Sequence, residues 1–444
     1  MHIRLFSKKL SSFQIIIAGF GSLILLGTLL LMLPAASKSG QWTSLEDACF
    51  TSTSAVCVTG LVVHDTATYW SAFGKGVILC LIQIGGLGLV TVTAFIALLA
   101  GKKISLFQRN LLQESVSAPQ VGGVVKMVRF ICIVVFAIEV LGALAMLPTF
   151  CSVYGGSGVW MAIFHSVSAF CNAGFDVMGG KSGHYSSLTA FSTHMGIVIP
   201  ICLLIIIGGI GFMTWQDVME HRHHFKRYRM QTKVILTTTL VLILVPAILF
   251  FFCDFAAWPL KERLSLSLFQ AVTPRTAGFN TADLSLMTGA GRSVMIALML
   301  IGGSPGSTAG GIKTTTIAVL AANVIAVIRR EKSVKMFGRR IEDSNVKTAA
   351  ALLVLYLTFA IAGACIISAI EGVGMGTCLF ETVSAIGTVG LSLGLTPSLG
   401  LISHIILILL MFFGRVGGLT LLFAAINSNG VELSQYPIEK IHVG

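Results

Sequence analysis

Four glycines stand where backbone oxygens could replace the water shell of a cation. Gly60, Gly174, Gly278 and Gly390 each close a short apolar run: F-T-S-T-S-A-V-C-V-T-G from Phe50, F-H-S-V-S-A-F-C-N-A-G from Phe164, F-Q-A-V-T-P-R-T-A-G from Phe269 and F-E-T-V-S-A-I-G-T-V-G from Phe380. Glycine reaches backbone angles that other residues resist, so successive carbonyl oxygens can turn towards one axis and take over a cation's hydration. The candidate coordinating segments are Val56, Cys57, Val58, Thr59 and Gly60; Phe170, Cys171, Asn172, Ala173 and Gly174; Pro274, Arg275, Thr276, Ala277 and Gly278; and Ile386, Gly387, Thr388, Val389 and Gly390. Their side chains differ while the last glycine is shared, as expected if backbone atoms do the coordinating. The third run is one residue shorter between phenylalanine and glycine, a departure expected on the side of the short helix.

A second glycine cluster follows each run and opens an apolar stretch: I-G-G-L-G from Ile84, I-G-G-I-G from Ile207, I-G-G-S-P-G from Ile301 and F-G-R-V-G-G from Phe413. The distances from the first glycine to this cluster are 25, 34, 24 and 24 residues. One unit is written four times, which predicts a pseudo-fourfold arrangement around a central axis. Glycine-mediated helix packing alone would not require a short helix before each glycine.

Composition turns that axis into a membrane axis. The chain of 444 residues is 55% hydrophobic and 11% charged, with mean hydropathy +0.90, against about 25% charged residues in soluble domains. The fold expected is all-α and integral to the membrane. Long apolar runs at 13–33, 73–100, 127–147, 194–215, 234–255, 293–328, 349–370 and 401–426 each reach the roughly 20 residues a crossing needs. Runs such as 44–56 and 377–386 are too short to cross and read as re-entrant pore helices. Non-helical backbone at membrane depth survives only when protein encloses it or when it lines a wet cavity, so four such loops imply a lined cavity. The division is residues 1–101, 102–220, 221–340 and 341–426 for the four repeats and 427–444 for a cytoplasmic tail. The first apolar run is too long for the core of a cleaved signal peptide.

Most of the 30 Lys and Arg residues fall in the amino terminus, the segments 102–129, 222–233 and 329–347, and the tail. The positive-inside rule then puts both termini in the cytoplasm and brings the pore loops in from outside. Nucleic-acid binding is not expected, because the basic runs flank spans and suit the lipid bilayer. Acidic residues gather towards the outer mouth: Glu46, Asp47, Asp65, Asp176, Asp254, Glu262, Asp283, Glu371 and Glu381. Together they could attract cations, and each singly could be ordinary loop solvation. The ten cysteines show no metal-ligand spacing and no disulfide framework.

The run 293–328 has 36 residues, about 54 Å of helix, far more than a bilayer takes up. It must break. Gly302, Gly303, Pro305, Gly306, Gly310 and Gly311 mark the place; Ser304, Ser307, Thr308 and Lys313 add polarity, and Ala309 completes the loop. Such a segment beneath the glycines could obstruct conduction and move aside. Arg415 sits in the fourth glycine cluster, and charge inside a span is costly and functional by default. Arg275 is expected to make a structural ion pair, with Glu381 or Glu262 as partner. Glu139 reads as an interhelical hydrogen-bond partner or an ion-path acid.

The four runs, with T-P-R-T-A-G-F-N from Thr273, G-G-S-P-G-S-T-A-G-G-I-K-T from Gly302 and G-R-V-G from Gly414, resemble the membrane subunit of the Ktr/Trk potassium uptake systems, related to the plant high-affinity potassium transporters. The resemblance covers nearly the whole chain. It implies a potassium-selective, channel-like transporter of four M1–pore helix–M2 repeats, a homodimer held on a cytosolic nucleotide-binding ring subunit. It also implies potassium as the transported ion at the carbonyls, sodium as a candidate activator, ATP or ADP only on the partner and no cofactor on this chain. The family pattern makes the loop at Gly302 an intramembrane gate and sets Arg415 below the filter. Glycine at all four filter positions resembles the potassium-selecting members; serine at the first is associated with sodium-selective relatives.

Two other classes compete. A sodium-coupled or sodium-translocating secondary transporter predicts inverted repeats with broken helices at the midplane, whereas these repeats share one orientation. An enzyme needs convergent catalytic residues, and no Ser/His/Asp, H-E-x-x-H or P-loop pattern occurs.

Overall fold

Each short run becomes a helix that the turn after it unwinds, and the first of them is also capped at its start. Ser44 accepts from the Asp47 amide at 3.0 Å, and Glu46 and Asp47 add negative charge to the first turn, where the helix dipole favours it. His64 lies 3.1 Å from Asp47 and, by hydrogen bonding, holds that carboxyl below its usual range.

The computed structural model describes residues 12–101, 104–115 and 122–418. The basic residues before Ser12 and the tail 427–444 lie outside them. Four long helices, α1 (Ser12–Met32), α5 (Val124–Tyr154), α9 (Met230–Cys253) and α13 (Asp343–Glu371), are each followed by a shorter one: α2 (Leu45–Val56), α6 (Ser157–Phe170), α10 (Leu260–Val272) and α14 (Met375–Ile386). The remaining major helices are α3 (Ala72–Leu87) with α4 (Leu89–Leu99), α7 (Met195–Gly209) with α8 (Phe212–His221), α11 (Gly289–Leu300) with α12 (Thr314–Ile328), and α15 (Leu401–Val416). A two-stranded hairpin, β1 (Lys335–Met336) and β2 (Arg339–Arg340), follows α12.

Packing is cyclic. Each short helix lies against the long helix before it, and α3, α7, α11 and α15 each also touch the short helix of the next unit: α6, α10, α14 and, closing the circle, α2. Polar side chains are also gathered inside, within an otherwise apolar core. Ser52, Ser54, His165, Ser168, Gln270, Thr273, Glu381 and Ser384 are all buried, while Leu25, Leu141, Phe252 and Leu409 are more than half exposed. An apolar exterior with polar side chains gathered on the short helices suits hydrocarbon outside and a wet axis inside.

The eight expected runs do not all appear as single straight helices. Among the described residues, by length and composition, four helices can cross a membrane, or six if each bent pair counts as one span. The runs 73–100 and 194–215 bend by 97° each, at Gly88 (φ 84°) and Gly211 (φ 92°). The third is divided by a loop, as expected, and α15 stops before Gly417 (φ 93°). The remainder of run 401–426, beyond residue 418, is outside the described residues.

The glycine clusters have a packing cause. A Cβ on Gly85, Gly208 or Gly414 would collide with the carbonyl oxygen of Val56, Phe170 or Ile386, the last residue of the same unit's short helix. Gly85→Ala should therefore lower the thermal unfolding midpoint in detergent, by the equivalent of about 1–3 kcal/mol, since a backbone oxygen cannot rotate away. Gly21→Ala, where nothing lies within 4 Å, should not; equal midpoints for the two variants would refute the packing argument.

Candidate ion pathway

The four glycine turns meet in a closed ring. A Cβ on Gly60 would lie 2.5 Å from the Ala173 carbonyl oxygen, and one on Gly174 would lie 2.7 Å from that of Ala277. A Cβ on Gly278 would collide with the Val389 oxygen, and one on Gly390 with the Thr59 oxygen, which completes the circle. Backbone meets backbone around the whole ring, so there is no room for a side chain.

Each turn repeats one conformation. The residue two before the glycine is left-handed although it is not glycine: Val58 (φ 57°), Asn172 (59°), Thr276 (68°) and Thr388 (51°). Non-glycine residues at positive φ are strained and persist only where the surroundings over-determine them. With the glycine also at positive φ and the residue between them not, successive peptide planes turn so that carbonyls can share a direction. Thr59 Oγ1, Asn172 Oδ1 and Thr388 Oγ1 are buried without hydrogen-bond partners among the described residues. Buried unpartnered oxygens are costly in a protein and suit a hard alkali cation.

A hydroxyl four residues after each phenylalanine braces the turn. Ser54 and Ser384 accept from the Gly60 and Gly390 amides at 3.1 and 3.0 Å. Ser168 and Thr273 instead donate to the Phe175 and Phe279 carbonyls at 2.7 and 2.6 Å. Sequence reasoning missed this column, although its signal is a Ser or Thr at one offset in all four runs. It also corrects the third run: Phe269 to Thr273 has the common spacing, so the missing residue lies in the turn after Thr273 and not in the short helix. There Ala277 donates to the Thr273 carbonyl (3.0 Å), whereas Thr59, Ala173 and Val389 each reach one residue further back, to Ser54, Ser168 and Ser384.

The candidate residues do not all face the ring. Val56, Phe170 and Ile386 end their helices, and their carbonyls meet the glycines described above or, at Phe170, also the Thr308 hydroxyl at 3.1 Å. Arg275 is buried and its guanidinium donates to Thr239 Oγ1 at 3.3 Å, so the expected ion pair is not formed. Glu262 makes no salt bridge among the described residues. Glu381 is occupied by Ser392 Oγ (2.6 Å), Thr396 Oγ1 (2.8 Å) and the Leu393 amide (3.1 Å). Other outer acids also hold loops: Asp254 accepts from Thr288, and Glu371 from Gly400 and Ser403. Glu139 accepts from Gln83 Nε2 at 3.2 Å, an interhelical hydrogen bond.

Beneath the ring lies the loop 302–313. Its two ends pair, with Ile301 bridged to Ile312 and the Gly302 amide on the Ile312 carbonyl at 2.8 Å. Ser304 N donates to Gly209 O (2.9 Å), Gly306 O accepts from Phe212 N (2.7 Å) and Gly311 N reaches Gly414 O (3.3 Å). A Cβ on Gly310 would strike Thr388 of the fourth turn, so the loop abuts the ring directly. Arg415 donates to the carbonyls of Thr308 and Gly85, and to that of Gly86 at 3.0 Å. Lys313 Nζ bonds Ala309 O at 2.8 Å. A cavity of about 400 Å³ below is lined in part by Gly88, Gly306, Lys313, Arg415 and Gly417.

A family model described as TrkH, cation transport protein, matches residues 6–432. The chain belongs to that family. Its relatives are cation transporters and not enzymes. It is 40% identical to the potassium/sodium uptake protein NtpJ of Enterococcus hirae, across 98% of both chains. It is 38% identical to the Ktr system potassium uptake protein B of Bacillus subtilis, across 97% of this chain and 96% of that one. Among solved structures it matches the potassium transporter TrkH of Vibrio parahaemolyticus with TM-score 0.75 at 19% identity, covering 96% of this chain and 87% of the other. That last likeness concerns the TrkH fold: a mostly helical, multi-pass membrane protein.

Proposed function

We propose that this chain takes up potassium across the cytoplasmic membrane, with the four-turn ring as selectivity filter and the loop 302–313, tied to Arg415, as gate. The observation that carries the reading is the closed ring itself, a backbone cage with buried oxygens left unpartnered. The names of the Bacillus and Enterococcus relatives support potassium as cargo. In the family the chain would form a homodimer on a cytosolic nucleotide-binding ring, with both termini in the cytoplasm. The name of the Bacillus relative, a protein of a Ktr system, supports further subunits. ATP or ADP would act there, and sodium would act as an activator. A second reading, sodium passage or sodium coupling, rests on the Enterococcus relative, whose name joins both ions.

Vesicles holding this chain alone should take up potassium in preference to sodium. Adding the cytosolic partner should make that uptake respond to ATP against ADP. Equal uptake of both ions would overturn the selectivity, and uptake that stops without a sodium gradient would favour the second reading.

A further inference from the structure

The basic segment 225–233 and the hairpin of β1 and β2 come from opposite ends of the third unit, yet they are built into one wall. Phe225 and Phe337 meet edge to face with centroids 6.3 Å apart. Lys233 Nζ donates to the Lys226 carbonyl at 2.8 Å and lies 5.9 Å from the Phe225 ring. Between them opens a cavity of about 440 Å³ lined by Lys226, Arg227, Arg229, Lys233 and Arg339, with no carboxylate in the lining. Three acids of the neighbouring segments are used elsewhere: Asp217 by His221 and the Arg229 amide, Glu331 by Lys335 and Asp343 by Arg340. None of the five cations lining the cavity has an ion-pair partner among the described residues. Gathering like charges around one cavity is unfavourable unless an anion fills it.

We propose that this cavity binds the phosphate of an anionic phospholipid headgroup. Soluble phosphates share that chemistry, and the position of the cavity selects the lipid. One wall leads directly into α9, which is long and apolar enough to cross the membrane. The other follows α12, whose last turns expose Val324, Ile325, Val327 and Ile328, a surface along which acyl chains can lie. Phosphates of a bilayer sit just outside its hydrocarbon, at the level of such span ends. The inference does not depend on which ion the chain carries.

The test is native mass spectrometry of the full chain in detergent, with phosphatidylglycerol, phosphatidylcholine, ATP or inorganic phosphate added separately. Phosphatidylglycerol should remain bound and phosphatidylcholine should not. The double variant Arg227→Gln with Arg339→Gln should weaken retention by about fivefold for each charge removed, about 25-fold together. Arg329→Gln with Arg330→Gln removes as much charge outside the cavity lining and should leave retention unchanged. If the double variant does not yield folded protein, Arg339→Gln alone, on the exposed hairpin, should still show the fivefold loss. Undiminished retention in the folded cavity variants would overturn the site. Tight binding of ATP or phosphate without any phosphatidylglycerol adduct would overturn its assignment to lipid.

Discussion

Serine in place of Gly390 should reduce the preference for potassium over sodium by about tenfold or more. At this position φ is 89°, which costs a non-glycine residue about 1–2 kcal/mol. The added Cβ would also drive into the Thr59 carbonyl and lie 2.9 Å from Gly60 Cα. Both contacts are backbone, so relief comes only by moving ring oxygens. If the ring is the filter proposed above, that cage distinguishes ions of different size, and a shift of about 1.4 kcal/mol between them is tenfold. Gly394→Ser separates ring geometry from simple strain, because Gly394 has φ 86° with nothing near its Cβ. Competitive uptake of the two ions in vesicles reads the ratio. An unchanged ratio in folded Gly390→Ser protein, or an equal loss in Gly394→Ser, would remove the ring from its role as filter.

Deleting residues 304–310 should raise potassium flux by about tenfold or more, if obstruction by the loop costs at least 1.4 kcal/mol. The deletion removes the bonds from Ser304 to Gly209 and from Thr308 to Phe170 and Gly208, and frees Arg415 from Thr308. Thr308→Val is the gentler variant. It keeps the backbone acceptor for Arg415 but loses the hydroxyl that holds the loop to the second unit. Flux per molecule in vesicles should rise in the same order, least in Thr308→Val and most in the deletion. A folded deletion variant that conducts no faster would reduce the loop to a passive kink in the third span.

The ring was legible in sequence because a short apolar run ends in glycine four times, three of them in one register and the third run a residue shorter, and a lone glycine after a short helix would have meant little. The loop 302–313 was legible because 36 residues exceed what a bilayer accommodates. The bends at Gly88 and Gly211 were hidden inside unbroken apolar runs. Only the close packing at Gly85 and Gly208, a few residues earlier, shows how tightly each helix is held before it turns. The left-handed positions hold Val58, Asn172, Thr276 and Thr388, only two of them alike, so no common motif announces them. Arg275 misled through charge: the expectation sought a carboxylate, while Glu381 is already filled by hydroxyls and an amide, and the guanidinium turns to Thr239.

The circle of turns closes where Gly390 meets Thr59, and the same seam holds His404 against Glu46 at 2.6 Å. The chain leaves the ribosome in order, so its first short helix waits for its last neighbour until the fourth unit has been made. Until then three turns stand with one flank open, and the ring proposed as the filter does not exist. A protein that must open a path through a cell's permeability barrier is thus inert while unfinished. A chain cut short after residue 372 should inhabit the membrane without discharging its gradients.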